Sequence, residues 1–164
     1  MSSRRDFIKS EYRLIIEILS FLLMLCSLVP LLSYGEISGE DSVPIHYSIN
    51  GQIDSWGDPS YIITLSLISL AFYVLLSVLQ RYPKILNYPV KITPINAEPV
   101  HRLGIALVRH LKLFLALIFG YLNNATFAVA VDKSDGINSA VLLSLIAMLF
   151  VCLTVYGMKM MKYR

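Results

Sequence analysis

The chain has 164 residues, 56% of them hydrophobic and 15% charged, with a net charge of +3 at neutral pH. Soluble domains carry roughly 25% charged residues, so this composition excludes an ordinary soluble enzyme, and the length leaves no room for a separate catalytic domain. The two cysteines, Cys26 and Cys152, fall in separate apolar runs, which excludes a disulfide framework or a cysteine metal cluster.

The N-terminal Ser3-Arg4-Arg5-Asp6-Phe7-Ile8-Lys9 has the look of a twin-arginine export signal. The apolar run behind it is too strong, and no small-residue cleavage site follows, so it is read as an uncleaved first helix. The first span is expected over about 14–34, with Pro30 near its end, where a kink costs least. Glu17 lies in its first turn. A carboxylate there either pairs with Arg13, four residues earlier, or reaches Arg109 or Lys112, at similar depth in a third span.

Residues 35–60 form the longest polar connection. They hold Glu36, Glu40, Asp41, Asp54 and Asp58 and no Lys or Arg. The second span is expected over about 61–79. A basic, proline-bearing connection covers 80–110, irregular from Pro83 to Pro94. It turns helical near Glu98, where Leu103, Ala106, Leu107, His110 and Leu111 share a face. That helix is expected to run into a third span over about 111–131, whose Asn123 and Asn124 should seek partners across a helix interface. A turn at Asp132-Lys133-Ser134-Asp135-Gly136 leads to a fourth span over about 137–156 and a basic tail.

Charge sets the expected orientation. Thirteen of the 14 basic residues fall in the N-terminal segment, the 80–110 connection with Lys112, and the C-terminal tail, leaving only Lys133 on the other side. By the positive-inside rule both termini are cytoplasmic. The expected fold is one all-α integral membrane domain of four transmembrane helices in the cell's inner membrane, with a short β-hairpin-like outer loop.

The hairpin signal is Asn50-Gly51 between Val43–Ile49 and Gln52–Trp56. A two-residue turn would pair His46 with Ser55 and send His46 and Asp54 to opposite faces. A three-residue loop with Gly51 as the bulge would pair Ser48 with Gln52 and set His46 opposite Asp54. A carboxylate–imidazole pair of that kind could orient a base or form half a metal site. His101 and His110 lie at the other end and cannot complete one. Trp56 suits an interfacial anchor.

Pro44-x-His46, then Asn50-Gly51-x-x-Asp54-x-Trp56-Gly57, between a first and a second span, resembles a bacterial membrane-domain family of unknown biochemical function. That family forms the N-terminal part of SdpI-type immunity proteins, which protect producer cells from a secreted antimicrobial protein and relay its presence to a repressor. The resemblance covers roughly residues 10 to 80. It implies a non-enzymatic sensor or immunity-like module, with Pro44, His46, Asn50, Gly51, Asp54, Trp56 and Gly57 as the matching positions. Here Asp58-Pro59-Ser60 follows the Trp-Gly, where many relatives carry Gly or Ser and then Lys.

Three readings of function follow. In the first, the outer loop binds a ligand or stabilises the bundle, and the inner face meets a cytoplasmic protein or another copy of the chain. In the second, His46 and Asp54 serve a membrane-surface enzyme or a metal site. In the third, Glu17, Asn123 and Asn124 line the path of a small transporter subunit. No catalytic residue, metal or cofactor is assigned, and the basic residues follow topology and contain no nucleic-acid reader motif.

Overall fold

The computed structural model describes residues 2–131 and 135–164, with side chains from residue 11 onward. Lys133 and most of its turn lie outside the described residues, as do the side chains of Arg4, Arg5 and Lys9. In order, the elements are helix α1 (Ser2–Ser27), a short helix α2 (Val29–Leu32), strands β1 (Val43–Tyr47) and β2 (Ile53–Gly57), and helices α3 (Tyr61–Arg81), α4 (Ala97–Ala130) and α5 (Ser139–Met161).

Four of these stretches are long and apolar enough to cross a membrane: Glu11–Glu36, Tyr61–Arg81, Ala97–Ala130 and Ser139–Met161. Their outward faces carry Ile15, Ile18, Leu22 and Leu25 on α1, Leu67, Val74 and Val78 on α3, and Leu143, Phe150 and Val151 on α5, all exposed. Soluble proteins rarely leave such continuous apolar surface open to water, whereas lipid favours it. The first span breaks after Ser27, and α2 restarts with Pro30 in its first turn, where a missing N–H costs nothing.

The third long helix carries on where two segments were expected to join. α4 has 34 residues, about 51 Å at 1.5 Å per residue, longer than the apolar thickness of about 30 Å of a bilayer. It lies centrally, packed against α1, α3 and α5. Gly104 gives way to Tyr88 from the preceding loop, since a Cβ there would come within 2.6 Å of the phenol oxygen. α5 runs five residues past the expected end. Met160 is buried with Val90 and Val100, and Asn96 Nδ2 donates to the carbonyl of Tyr163 at 2.9 Å. The last turn of α5 is thereby attached to the 82–96 loop.

Polar side chains connect the helices in the half of the bundle nearer the hairpin. Asn123, fully buried on α4, donates from Nδ2 to the carbonyl of Ser27 and to Oγ of Ser66, both at 2.5 Å. Ser27 Oγ lies 2.7 Å from Ser69 Oγ. Asn124, more exposed, donates to the carbonyl of Cys26 at 2.9 Å. Both asparagines therefore bond across helix interfaces. Such bonds average only about 0.6 kcal/mol in membranes, too little to hold a bundle together. Their consequence is registry, because a shifted helix would leave the amide unpaired.

Candidate functional site

The hairpin begins with turn chemistry. The N–H of Gly51 donates to the carbonyl of Ser48 at 2.8 Å, and the N–H of Ser48 to the carbonyl of Gln52 at 2.9 Å. Gly51 has φ +86°, a left-handed conformation that glycine adopts without steric penalty. Ser48 Oγ bonds Asn50 Oδ1 and reinforces the loop. This is the three-residue loop, and Tyr47 faces Ile53, Pro44 faces Trp56 and Val43 faces Gly57 in its register.

Between those pairs the ladder slips locally, and the Cα of His46 faces Ser55. Each of the two registers read from the sequence thus holds in part. The side chains still meet: His46 Nδ1 lies 2.5 Å from Asp54 Oδ1, the imidazole placed to donate to the carboxylate. Both are exposed, His46 at 69% and Asp54 at 43% of their side-chain surface. The pair is therefore a surface feature, reachable from solvent.

The hairpin is clamped to the bundle along its length. At the base, Val43 is buried with Ile37 and Ile62, with Ile45 and Phe127 packed against them. Midway, the Tyr47 hydroxyl donates to Thr126 Oγ1 at 3.1 Å, and burial pushes the Tyr47 phenol's pKa up. At the tip, the N–H of Ile137 donates to the carbonyl of Gly51 at 3.0 Å. That approach is so close that a Cβ on Gly51 would sit 2.0 Å from the carbonyl oxygen of Ile137. At the exit, hydrogen bonds from the Ser60 hydroxyl and backbone N–H hold the Asp58 carboxyl below its ordinary pKa, the backbone bond measuring 2.8 Å at the start of α3. Pro44 is buried, and Trp56 is 54% exposed on the opposite strand.

Under the hairpin lies a cleft of about 210 Å³. Ile45, Tyr47, Tyr61, Leu65, Leu122 and Ile137 form mostly apolar walls, and His46 stands at its edge. Apolar walls with a few placed polar groups are the usual makeup of a recognition site. Among the described residues, no three His, Cys, Asp or Glu side chains gather as a metal would require.

A second constellation occupies the far end of the bundle. Glu17 Oε1 accepts from Arg109 Nε at 2.8 Å and from Gln80 Nε2 at 2.6 Å, and Glu17 Oε2 accepts from Lys112 Nζ at 2.6 Å. Among the described residues the ion pairs of Glu17 go to α4, and the alternative pairing with Arg13 is not formed. Lys112 also lies 5.2 Å from the centre of the Tyr73 ring. Beside this cluster, His110 Nδ1 donates to the carbonyl of Ala106 at 2.7 Å, which leaves Nε2 to accept from the Tyr12 hydroxyl at 3.0 Å.

The structure therefore keeps the sequence-derived residues in three separate places. His46 and Asp54 meet on the hairpin, Asn123 and Asn124 bond between helices in the hairpin-side half of the bundle, and Glu17, Arg109 and Lys112 meet at the end away from the hairpin. Thr126, Ile137, Tyr61 and Leu122 complete the cleft without having been singled out in the sequence. As ordinary residues of apolar helices, or in the case of Ile137 of the loop before α5, they carry no local signal of a cleft. Comparison of the chain with protein-family models, curated proteins and solved structures finds no match.

Proposed function

We propose that this chain is a multi-pass protein of the bacterial inner membrane, with both termini in the cytoplasm, that works without catalysis as a sensor or immunity-like module. Its hairpin faces outward and recognises a ligand arriving at the membrane surface. The observation that carries this reading is the exposed His46–Asp54 pair at the edge of an apolar cleft, on a hairpin anchored to the bundle at base, middle and tip. A cleft of about 210 Å³ accommodates one large apolar side chain, with the imidazole–carboxylate pair beside it to bond a polar neighbour. A protein segment that presents an apolar side chain next to a polar one would match that chemistry. The motif resemblance to the N-terminal domain of SdpI-type immunity proteins, and the basic residues gathered at the opposite end, support the same assignment.

The enzyme reading is weaker on geometry. His46 and Asp54 make a base–orienter pair, but among the described residues no hydroxyl or thiol nucleophile is hydrogen-bonded to His46. The transporter reading is weaker because Asn123 is packed and bonded between helices, not facing a passage.

The test is protection. A sensitive bacterial strain expressing the chain is challenged with secreted antimicrobial proteins, and survival is compared with strains carrying His46→Ala, Asp54→Ala and the double substitution at matched membrane levels. Protection by the native chain, lost to the same extent in all three variants, is expected of a pair acting as one unit. Protection that survives the double substitution overturns the hairpin assignment.

A further inference from the structure

We infer that the bundle end opposite the hairpin holds a specific site for an anionic glycerophospholipid, its phosphate between Arg81, Arg109 and Lys112 and an acyl chain along α3. The argument begins with charge balance. Lys112 keeps 4% and Arg109 12% of its side-chain surface exposed, and both are bonded to one carboxylate, that of Glu17. Two cations and one anion leave an excess positive charge on two largely buried side chains. Uncompensated charge of this kind is costly within a membrane, and among the described residues Glu17 is the only acidic partner of either cation.

Space for the missing anion adjoins the cations. A cleft of about 610 Å³ is lined by Glu17, Tyr73, Ser77, Gln80, Arg81, Arg109 and Lys112, with Phe21 on its apolar side. Arg81 adds a third cation that has no ion-pair partner among the described residues. A guanidinium fork and an ammonium together suit a phosphate diester, and basic pockets between membrane helices bind such headgroups. Gln80 Oε1 is buried and without a partner while its Nε2 is held by Glu17. It supplies an acceptor for a headgroup hydroxyl, and the excess positive charge beside it favours a phosphoglycerol headgroup over one that carries a cation.

An acyl chain has a place as well. A second, mostly apolar groove of about 240 Å³ shares Tyr73, Ser77 and Arg81 with the first and continues along Val74 and Val78. Val74 and Val78 are about half exposed on the outer face of α3, where a lipid tail would run. Phosphate and tail thus meet at Arg81, as they do in a phospholipid. The inference rests on membrane insertion and not on ligand recognition by the hairpin, which lies at the other end and is untouched in the test below, so either can fail alone.

The test uses the purified full chain in a neutral detergent, with thermal unfolding and native mass spectrometry as readouts. Phosphatidylglycerol is expected to raise the midpoint by about 5 °C or more and to bind as one retained lipid, while phosphatidylcholine, inorganic phosphate and glycerol 3-phosphate do neither. Arg81→Gln, which leaves the Glu17 cluster intact, is expected to weaken the phosphatidylglycerol effect about tenfold. Val78→Trp, which fills the tail groove, is expected to abolish lipid retention. Equal shifts with phosphatidylcholine, a full shift with either soluble phosphate, or an unaltered response in Arg81→Gln would each overturn the inference.

Discussion

Glu17 shows how a single side chain links sequence to architecture. At about one turn from Arg13 it offered a local ion pair, and by depth it offered a remote one on the third span. The remote pair forms because Arg109 and Lys112 are themselves drawn into the bundle and need an anion more than the exposed Arg13 does. Local spacing could not decide this, since the choice depends on which face of α4 packs on α1. Glu17→Gln removes the one anion between two largely buried cations. Removing one partner of a buried pair costs about 3–5 kcal/mol, and the partial exposure of Glu17 reduces this to about 2 kcal/mol. The loss should appear as a lowered unfolding midpoint in detergent, and Glu17→Gln combined with Lys112→Met should recover part of it. An unchanged midpoint for Glu17→Gln would remove the cluster from the stabilising contacts.

At the scale of elements, the hairpin was legible because its turn is local. Asn50-Gly51 permits the left-handed bulge, and the alternation around it sets the strands. The slip that puts the Cα of His46 opposite Ser55 while its ring reaches Asp54 was not legible. It sits in strands that are pinned to α4 through Tyr47–Thr126 and to the α4–α5 loop through Gly51–Ile137. These are tertiary contacts between residues more than 75 positions apart, and no spacing rule reports them. The same holds at the other end, where the last turn of α5 docks on the 82–96 loop through Met160 and Asn96. Gly51→Ala tests the tip contact. Its Cβ would meet the Ile137 carbonyl at 2.0 Å with the backbone at φ +86°, so the tip must detach or the loop must move. We expect amide exchange across residues 43–57 to accelerate by about tenfold or more, from a cost of about 1–3 kcal/mol. Unaltered exchange would mean that the tip contact does not hold the hairpin.

For the whole molecule, the four long apolar helices were readable from hydropathy because each needs about 20 uninterrupted apolar residues and little in a soluble fold imitates that. Their packing order was not readable: the need of Asn123 for partners across a helix interface was legible, but not which helices would supply them, and Gly120 looks unremarkable in sequence. Gly120 approaches the carbonyl of Leu23, and Asn123 joins α1 to α3. α5, by contrast, contributes almost nothing buried to the bundle along its apolar stretch, so its outer surface is left for lipid or for another copy of the chain. The proposed function depends on which end of this bundle faces outward. Two exposed isoleucines mark the ends, Ile49 at the hairpin tip and Ile95 in the loop between α3 and α4, 82% and 93% exposed. The most direct measurement is labelling of Ile49→Cys and Ile95→Cys, each in a Cys26→Ala, Cys152→Ala background, with a membrane-impermeant maleimide on spheroplasts. The account predicts that Ile49→Cys labels in intact spheroplasts and that Ile95→Cys labels only after permeabilisation. Labelling of Ile95→Cys in intact spheroplasts while Ile49→Cys stays protected would contradict it, placing the His46–Asp54 pair and its cleft in the cytoplasm.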